Sequence, residues 1–284
     1  MFPGQGSQKR GMGQGLFDEV PEFKAVESQV DDILGYSLRQ LCLEDTEDKL
    51  KDTRYTQPCL YAVNALHYYK AASEGPLPDV FIGHSLGEYN ALLAAGAFDF
   101  LTGLRMVKKR GELMAQARSG SMTAVIGITP ARIAAVLQEQ RFTSIDVANF
   151  NSPTQTVISG PPEDLARVSQ PLQAAGAQMV VPLTVSAAFH SRYMFDAAKS
   201  FDAYLGEFSF APLQKPVVAN ATARPYPSTD PDTFVRQLLS KQIAHPVQWT
   251  RSIRHLLDDG AAKFHEIGPG SVLTRLIEQI RHVS

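Results

Sequence analysis

Residues 79–89 read Asp79-Val80-Phe81-Ile82-Gly83-His84-Ser85-Leu86-Gly87-Glu88-Tyr89. The apolar run 80–82 predicts a short buried strand, and the small and apolar residues 91–95 predict a tightly packed helix. A serine between two such elements lies on a sharp turn, where flanking glycines let strand and helix approach each other. Ser85 is therefore a candidate nucleophile, and the main-chain N–H of Leu86 is a candidate oxyanion donor. A loop serine with accidental glycine neighbours is the alternative.

Composition favours a globular protein with a sizeable core. The 284 residues are 44% hydrophobic and 20% charged, with a net charge of −2, so neither disorder nor a basic nucleic-acid surface is indicated. No stretch approaches the ~18 apolar residues of a membrane span, and residues 1–6 lack the features of a secretory signal. Cys42 and Cys59 form no Cys-x-x-Cys pair, so no disulfide framework and no metal site is predicted. We expect a cytoplasmic protein that binds neither nucleic acid nor membrane.

The middle of the chain alternates strand-like and helix-like segments in the order β-α-β-β-α-β. The predicted strands are residues 122–128, 145–149, 155–159 and 178–183. The predicted helices are residues 130–140, with proline in the first turn, and 162–175, ended by glycine. This order is the split-βαβ, ferredoxin-like pattern.

The flanks of this block carry longer helices around fewer strands. Helices are predicted at 58–72, 102–117, 232–242, 249–258 and 271–282, and buried strands at 217–220 and 263–267. We predict an α/β protein in which a small ferredoxin-like domain is inserted into a large α/β-hydrolase-like domain with a parallel sheet core. The small domain spans residues 119–186, and the large domain spans 1–118 and 187–284.

A serine nucleophile needs a base, and His190 is the best candidate among the histidines. It follows the end of the predicted small domain, so it would lie beside the interdomain cleft that Ser85 faces, and a neutral imidazole can accept the hydroxyl proton. His84 is an alternative base, but adjacent residues on a tight turn point apart, which favours a structural role or a place in the pocket wall. No acidic residue is clearly placed to orient His190. A main-chain carbonyl or an amide side chain could do so instead.

Short motifs are distributed along almost the whole chain. They are Phe2-Pro3-Gly4-Gln5-Gly6-Ser7-Gln8, Gly83-His84-Ser85-Leu86-Gly87-Glu88, Lys109-Arg110-Gly111, Ala188-Phe189-His190-Ser191 and Gly268-Pro269-Gly270. Together they resemble the malonyl-CoA:acyl-carrier-protein transacylase family. The run after Ser85 looks most like the free-standing, trans-acting acyltransferases of modular polyketide synthases, of the disorazole synthase type. We therefore expect a free-standing enzyme.

The resemblance implies a role for each matching residue. Ser85 would be the nucleophile and His190 its base. The N–H groups of Gln5 and Leu86 would form the oxyanion hole. Gln242 matches the residue whose carbonyl orients the histidine, which would supply the missing orienting group.

The resemblance also implies a reaction. A malonyl group would pass from malonyl-CoA, through a Ser85 acyl-enzyme, to the phosphopantetheine thiol of an acyl carrier protein acting in trans, in polyketide or fatty-acid synthesis. No cofactor and no metal are expected. We expect a monomer.

Arg110 is the candidate ligand for the malonyl carboxylate. Taken alone, the run Lys108-Lys109-Arg110 favours a solvated arginine, because charge runs are usually exposed faces. Met106 and Met114 recur with Arg110 at helical spacing, however, which predicts that this face points inward. A guanidinium fork there can hold a carboxylate through two parallel hydrogen bonds, the role that the resemblance implies.

The acyl pocket is assigned to Phe189, Met114 and His84. Phe189 resembles the malonyl-type Phe-His-Ser signature, in which a bulky aromatic side chain leaves little room for a 2-methyl branch. We therefore expect malonyl to be preferred over methylmalonyl, although a methyl group gives only ~1–3 kcal/mol of discrimination by pocket shape.

The carrier and its pantetheine arm would approach from the cleft. Asn151 and Gln155 match a small-domain segment near the cleft and are candidate contacts for either. Carrier proteins are acidic, so a local basic patch such as Lys108, Lys109 or Arg192 could receive one.

Two other classes of protein remain open. An acyl hydrolase on the same scaffold would let water replace the carrier thiol, but it has no need of a buried cation such as Arg110. A non-catalytic docking module would bind a carrier without chemistry, and the pairing of Ser85 with His190 speaks against it.

Overall fold

The computed structural model describes residues 1–117, 120–185 and 187–282. Its helices are α1 (Leu16–Glu19), α2 (Pro21–Lys24), α3 (Glu27–Leu34), α4 (Leu38–Glu44), α5 (Thr53–Glu74), α6 (Gly87–Ala94), α7 (Phe100–Gln116), α8 (Pro130–Glu139), α9 (Pro162–Ala174), α10 (Phe195–Leu205), α11 (Pro231–Ala244), α12 (Trp249–Asp258) and α13 (Val272–Arg281). Its strands are β1 (Phe81–Ile82), β2 (Ser121–Ile126), β3 (Asp146–Ser152), β4 (Gln155–Gly160), β5 (Met179–Pro182), β6 (Val217–Ala219) and β7 (Arg224–Pro225). Short 3-10 turns lie at Lys49–Lys51 and Arg192–Met194.

The middle of the chain folds into a four-stranded antiparallel sheet with strand order β3-β4-β2-β5. Helices α8 and α9 pack with this sheet around fully buried apolar side chains, among them Val125, Ile133, Ile158 and Val168. The order of elements and of strands confirms the predicted ferredoxin-like fold. Strand β2 ends two residues before the prediction because Gly127, at φ +102°, turns the chain.

A second sheet positions the candidate nucleophile. Strands β1 and β6 pair in parallel, with Phe81 opposite Val217, and β7 pairs with β6 in the antiparallel direction. Phe2 forms a parallel bridge to Gly83 at the end of β1. Helix α6 begins at Gly87, so the chain turns directly from β1 into it. The predicted parallel core is therefore present, built from short strands with one antiparallel edge.

Helix α5 is longer than the sequence predicts. It begins at Thr53, where the side chain of Asp52 accepts a hydrogen bond from the N–H of Arg54, and it carries Pro58 in its first turns. The prediction started this helix at Pro58. Neither α5 nor any other helix within the described ranges is long and apolar enough to cross a membrane.

The four-stranded sheet joins the flanking part of the chain along β3. The N–H of Phe150 donates to the carbonyl of Val247 at 2.9 Å, and the N–H of Val247 donates to the carbonyl of Ala148 at 2.9 Å. This contact attaches the four-stranded sheet to the segment that leads into α12. The predicted domain limits fall on residues 118, 119 and 186, which lie outside the described residues, and the division of the chain at those limits stays a prediction.

The strand predicted at 263–267 is wrong. Among the described residues, only Met1 bonds to this segment in the manner of a neighbouring strand: its ammonium group donates to the carbonyl of His265 at 2.6 Å, and its carbonyl accepts from the N–H of Ile267 at 2.7 Å. Phe2 instead donates to the carbonyl of Ile82. Because one residue cannot supply a continuous ladder, the segment is irregular.

Candidate active site

The turn between β1 and α6 holds Ser85 in a left-handed conformation, with φ at +50°. A Cβ added to Gly83 would lie 1.9 Å from the main chain of Gly87, and one added to Gly87 would lie 2.1 Å from the carbonyl oxygen of Phe2. Side chains at either position would therefore force the backbones apart. The glycines of the pentapeptide are required by this close approach, as the sequence predicts.

Asn220 holds the same turn from β6. Its Oδ1 accepts a hydrogen bond from the N–H of Ser85 at 2.6 Å, and its Nδ2 donates to the carbonyl of Gly83 at 2.6 Å. Asn220 follows directly after β6, at the carboxyl end of a strand parallel to β1. Sequence reasoning placed this residue in a strand and assigned it no role.

The structure brings Ser85 and His190 together although 105 positions separate them. Ser85 Oγ lies 2.8 Å from His190 Nε2, and His190 Nδ1 lies 2.8 Å from the main-chain carbonyl oxygen of Gln242. Because a carbonyl can only accept, Nδ1 carries the proton and Nε2 is left free to accept one from the serine. The predicted orienting contact through Gln242 has this geometry.

The environment of His190 disfavours the imidazolium form. Burial, followed by repulsion from Arg110, lowers the pKa of His190 from its ordinary 6.5 to about 3, against the opposing effect of its hydrogen bond to Gln242. His190 is therefore neutral across the physiological pH range. A neutral base next to the hydroxyl is the state that a serine nucleophile needs.

Arg110 lies inside the protein on α7, with 1% of its surface exposed. Its Nη1 donates to Gln57 Oε1 at 2.7 Å, and its Nη2 donates to Gln242 Oε1 at 2.9 Å and to Ser85 Oγ at 3.2 Å. The guanidinium carbon lies 5.5 Å from the ring centroid of Tyr89. The predicted inward-facing arginine therefore reaches the nucleophile directly.

No carboxylate among the described residues forms an ion pair with Arg110. Its hydrogen-bond partners are two amide oxygens and a hydroxyl, and its Nε–H has no partner within the described part of the chain. Burial lowers the pKa of Arg110 from its ordinary value. Burying a cation without a directly paired carboxylate is costly, so this arrangement favours a ligand that brings a negative charge.

Gln242 makes contacts on both sides of the site. Its side-chain Nε2 donates to the carbonyl of Ser85 at 2.8 Å and to Glu88 Oε2 at 2.7 Å, while its Oε1 accepts from Arg110. Gln242 is fully buried at the end of α11. Sequence reasoning assigned Gln242 only its carbonyl and gave Glu88 no role, although the quoted motif ends at Glu88.

The predicted oxyanion donors lie on two different segments. The N–H of Leu86 precedes α6, and Gln5 follows Gly4, whose added Cβ would lie 2.3 Å from the carbonyl oxygen of His84. The Gln5 segment therefore packs against the nucleophile turn. Gln5 Nε2 donates to Thr53 Oγ1 at 3.0 Å, and within the described residues no partner is found for either main-chain N–H.

His84 lies close to Ser85 in the chain but contacts the other sheet. Its Nε2 lies 2.9 Å from Asn151 Oδ1, and its ring centroid lies 5.4 Å from that of Trp249. Burial lowers the pKa of His84. The structure thus pairs two predicted site residues, His84 and Asn151, with each other. Gln155 is half-buried in β4, opposite Ile126.

The predicted pocket residues are all buried. Phe189 is 4% exposed, and its carbonyl accepts a hydrogen bond from Ser159 Oγ at 2.8 Å, which ties the residue before the base to β4. Met114 is 1% exposed, and its Sδ lies 3.4 Å from Gln57 Nε2. The Oε1 of the same Gln57 amide accepts a hydrogen bond from Arg110. Among the described residues, no group of His, Cys, Asp or Glu could hold a metal ion.

A groove of about 390 Å³ leads to His190 from the surface. Asp146 and Val147 of β3 line it, together with Phe195 and His245 beside the base. Arg192 also lines the groove, and its guanidinium is ion-paired with Asp146. The groove therefore reaches the base from the surface, whereas Ser85 and Arg110 are not among its lining residues.

Comparison with known proteins finds one family that matches nearly the whole chain, including the candidate site. The sequence profile of the acyl transferase domain matches residues 1–283. The chain is 50% identical to the polyketide biosynthesis malonyl CoA-acyl carrier protein transacylase BaeC of Bacillus velezensis, over 99% of this chain and 96% of that protein.

Solved structures agree with this match. The malonyl CoA-acyl carrier protein transacylase of Burkholderia pseudomallei superposes with a TM-score of 0.94 at 46% identity, over 100% of this chain and 97% of that one. A malonyl-transacylase solved in complex with a type II polyketide-synthase acyl-carrier protein gives 0.92 at 36% identity, over 99% and 92%. The chain belongs to the acyl transferase domain family.

Proposed function

We propose that this protein transfers a malonyl group from malonyl-CoA to the phosphopantetheine thiol of an acyl carrier protein, by way of an acyl-enzyme on Ser85. The observation that carries the proposal is Arg110, a buried guanidinium 3.2 Å from Ser85 Oγ with no carboxylate paired to it in the described residues. Malonyl places a carboxylate one carbon beyond the reacting thioester. The names of the most similar relatives support the same reaction in polyketide biosynthesis.

In the first step Ser85 Oγ attacks the thioester carbon while its proton passes to His190 Nε2, 2.8 Å away. The tetrahedral oxyanion accepts hydrogen bonds from the N–H groups of Leu86 and Gln5. Collapse of the intermediate breaks the carbon–sulfur bond, and coenzyme A leaves as a thiol with the proton that His190 held. Malonyl-Ser85 remains.

In the second step the phosphopantetheine thiol replaces coenzyme A. His190 accepts the thiol proton, the sulfur attacks the Ser85 ester, and the same proton returns to Ser85 Oγ as the ester bond breaks. These steps use only side chains and main-chain N–H groups of the chain itself. We propose no cofactor on that basis.

The malonyl carboxylate has a second effect in this scheme. Arg110 is one of the causes that lower the pKa of His190. A carboxylate paired with Arg110 neutralises that charge, so it raises the basicity of His190 in the complexes that carry the correct substrate. A neutral acyl group lacks this effect.

The partners are an acyl carrier protein and coenzyme A thioesters. We propose that the pantetheine arm enters beside His190 and that the carrier docks at the mouth of the groove of about 390 Å³ there. Arg192 is ion-paired there, and Lys108 donates to the carbonyl of Ile33, so neither is an uncommitted charge for an acidic carrier. The monomeric state and the cytoplasmic location stay predictions from the sequence.

The test is to follow the intact mass of the protein after mixing with malonyl-CoA, and then after adding a phosphopantetheinylated carrier. The proposal predicts a malonyl adduct on Ser85 that persists and then moves to the carrier. Ser85→Ala must form no adduct, whereas Ser73→Ala, on the exposed part of α5, must behave as wild type. Release of free malonate at the same rate with and without carrier would show a hydrolase. Absence of both the adduct and a serine-directed fluorophosphonate label would leave only a docking module.

A further inference from the structure

Glu88 is a buried acid that the two-step scheme does not use. It is fully buried in the first turn of α6, three residues after Ser85. Its Oε1 accepts a hydrogen bond from Tyr226 Oη at 2.5 Å. Its Oε2 accepts from Gln242 Nε2 at 2.7 Å and from the N–H of Asn220 at 3.2 Å. Glu88 forms no direct ion pair in the described part of the chain, although the charge on Arg110 lies near enough to lower its pKa.

The partners of Glu88 Oε2 are the two residues that hold the reacting groups. Gln242 supplies the carbonyl for His190 Nδ1 and the amide oxygen for Arg110 Nη2. Asn220 holds the N–H of Ser85. One carboxylate oxygen thus lies behind the base, the cation and the nucleophile turn together.

We propose that Glu88 is a positioning residue that fixes Gln242 and Asn220, so that His190, Arg110 and Ser85 keep their mutual geometry. The inference rests on the proposed function and concerns the same site. Glu88 acts through the length of its side chain, which must be long enough to bring Oε2 to Gln242 near the C-terminal end of α11. Its charge is secondary, because the oxygen that faces the site only accepts hydrogen bonds.

The titration of Glu88 is compatible with this role. Burial raises the pKa of Glu88 to about 7, against the lowering effect of its bonds to Tyr226 and Gln242 and of the nearby charge on Arg110. A proton on Oε1 can be donated to Tyr226 Oη, since a phenol oxygen both donates and accepts. Oε2 then keeps both of its contacts in either protonation state.

This distinction between reach and charge gives a matched pair of variants. Glu88→Gln keeps the length: its carbonyl oxygen can replace Oε2, and its NH₂ can donate to Tyr226. Glu88→Asp keeps the charge but withdraws the carboxylate by one methylene. Misplacement of about 1 Å can cost about 100-fold in rate, so the shorter residue is expected to be the more harmful one.

The experiment measures kcat and KM for malonyl loading, and the ratio of malonyl to acetyl loading, for both variants and for Tyr61→Phe. Tyr61 is a fully buried tyrosine whose hydroxyl donates to the carbonyl of Phe100, outside the network, and it serves as a control for loss of a buried hydrogen bond. Thermal unfolding is recorded for each protein.

We expect Glu88→Asp to lower kcat about 10- to 100-fold and to reduce the malonyl preference, because Gln242 also holds Arg110. Glu88→Gln should stay within about threefold of wild type in kcat and in the ratio of malonyl to acetyl loading. Tyr61→Phe should lose stability without a change in that ratio. If Glu88→Gln is as poor as Glu88→Asp, or Glu88→Asp equals wild type, the proposal is overturned. Wild-type protein that loads no malonyl would instead contradict the proposed function. If Glu88→Asp fails to fold, the Glu88→Gln result alone decides, since loss of activity in a folded Glu88→Gln protein overturns the inference.

Discussion

His190 is oriented by the main-chain carbonyl of Gln242, 2.8 Å from Nδ1, and by no carboxylate of the residues that the structure describes. A carbonyl fixes the tautomer of the imidazole as well as a carboxylate does, but it brings no full negative charge to stabilise the imidazolium. The charge that most affects the pKa of His190 is the positive charge of Arg110. The pH dependence of the reaction should reflect this.

Malonyl loading should stay nearly constant from pH 8 to pH 5. Burial and Arg110 lower the pKa of His190 to about 3, so the free enzyme keeps a neutral base throughout this range. The profile of kcat/KM for Ser85 loading reports this pKa. A fall in kcat/KM with a midpoint near 6.5 would contradict the assignment.

The same shift has a consequence for stability. Between about pH 6.5 and pH 3 the unfolded chain binds a proton on His190 that the folded protein does not, so folding is favoured above pH 6.5 and this contribution is lost as the pH falls. His190→Gln should flatten that part of the curve of unfolding free energy against pH. Denaturant titrations of wild type and His190→Gln at pH 4.5 and 7.5 measure how the unfolding free energy changes with pH. The same change in both proteins would contradict the lowered pKa of His190.

The unfolding free energy should also carry an opposite contribution from Glu88. Burial raises the pKa of its carboxyl from 4.5 to about 7, so the folded protein keeps a proton that the unfolded chain loses between these values. The stability from this group is present below pH 4.5 and is lost as the pH rises towards 7. Glu88→Gln should therefore gain stability relative to wild type between pH 5 and pH 7.5. A relative loss over that interval would contradict the raised pKa.

Phe189 should limit the acyl group by size. Phe189→Leu opens space beside the base, so the ratio of methylmalonyl to malonyl loading is expected to rise about 5- to 100-fold, the range for about 1–3 kcal/mol of discrimination. Phe23→Leu, in the core cluster of α1 and α2, controls for a loosened interior. An equal rise in both variants, or none in Phe189→Leu, would remove Phe189 from the selectivity of the pocket.

The sequence predicts the nucleophile turn well, because its glycines and its apolar flanks are local requirements. Ser85 and His190 could be proposed from residue chemistry and from the place of His190 after the small domain. The carbonyl of Gln242 could be proposed only from a family resemblance, because every residue has a carbonyl and no spacing distinguishes this one.

Other parts of the site lie beyond such reasoning. Gln57, Glu88 and Asn220 stand on α5, on α6 and after β6, and only tertiary packing makes them neighbours. The buried carboxylate of Glu88 was visible as an acid inside a helix of apolar residues, a signal that could have singled it out. The strand predicted at 263–267 is wrong for a related reason: a short segment forms a strand only where another strand is available to pair with it.

The most direct test of the site is the choice between malonyl-CoA and acetyl-CoA in wild type, Arg110→Ala and Arg110→Lys. We expect Arg110→Ala to lower kcat/KM for malonyl by about 30- to 4000-fold, as for loss of about 2–5 kcal/mol in a buried charge pair, and to change acetyl much less. Arg110→Lys keeps the positive charge but lacks the two-pronged guanidinium, so its kcat/KM for malonyl should lie between those of wild type and Arg110→Ala. Equal losses for the two acyl groups, or an unchanged preference for malonyl, would contradict the proposal that Arg110 binds the malonyl carboxylate.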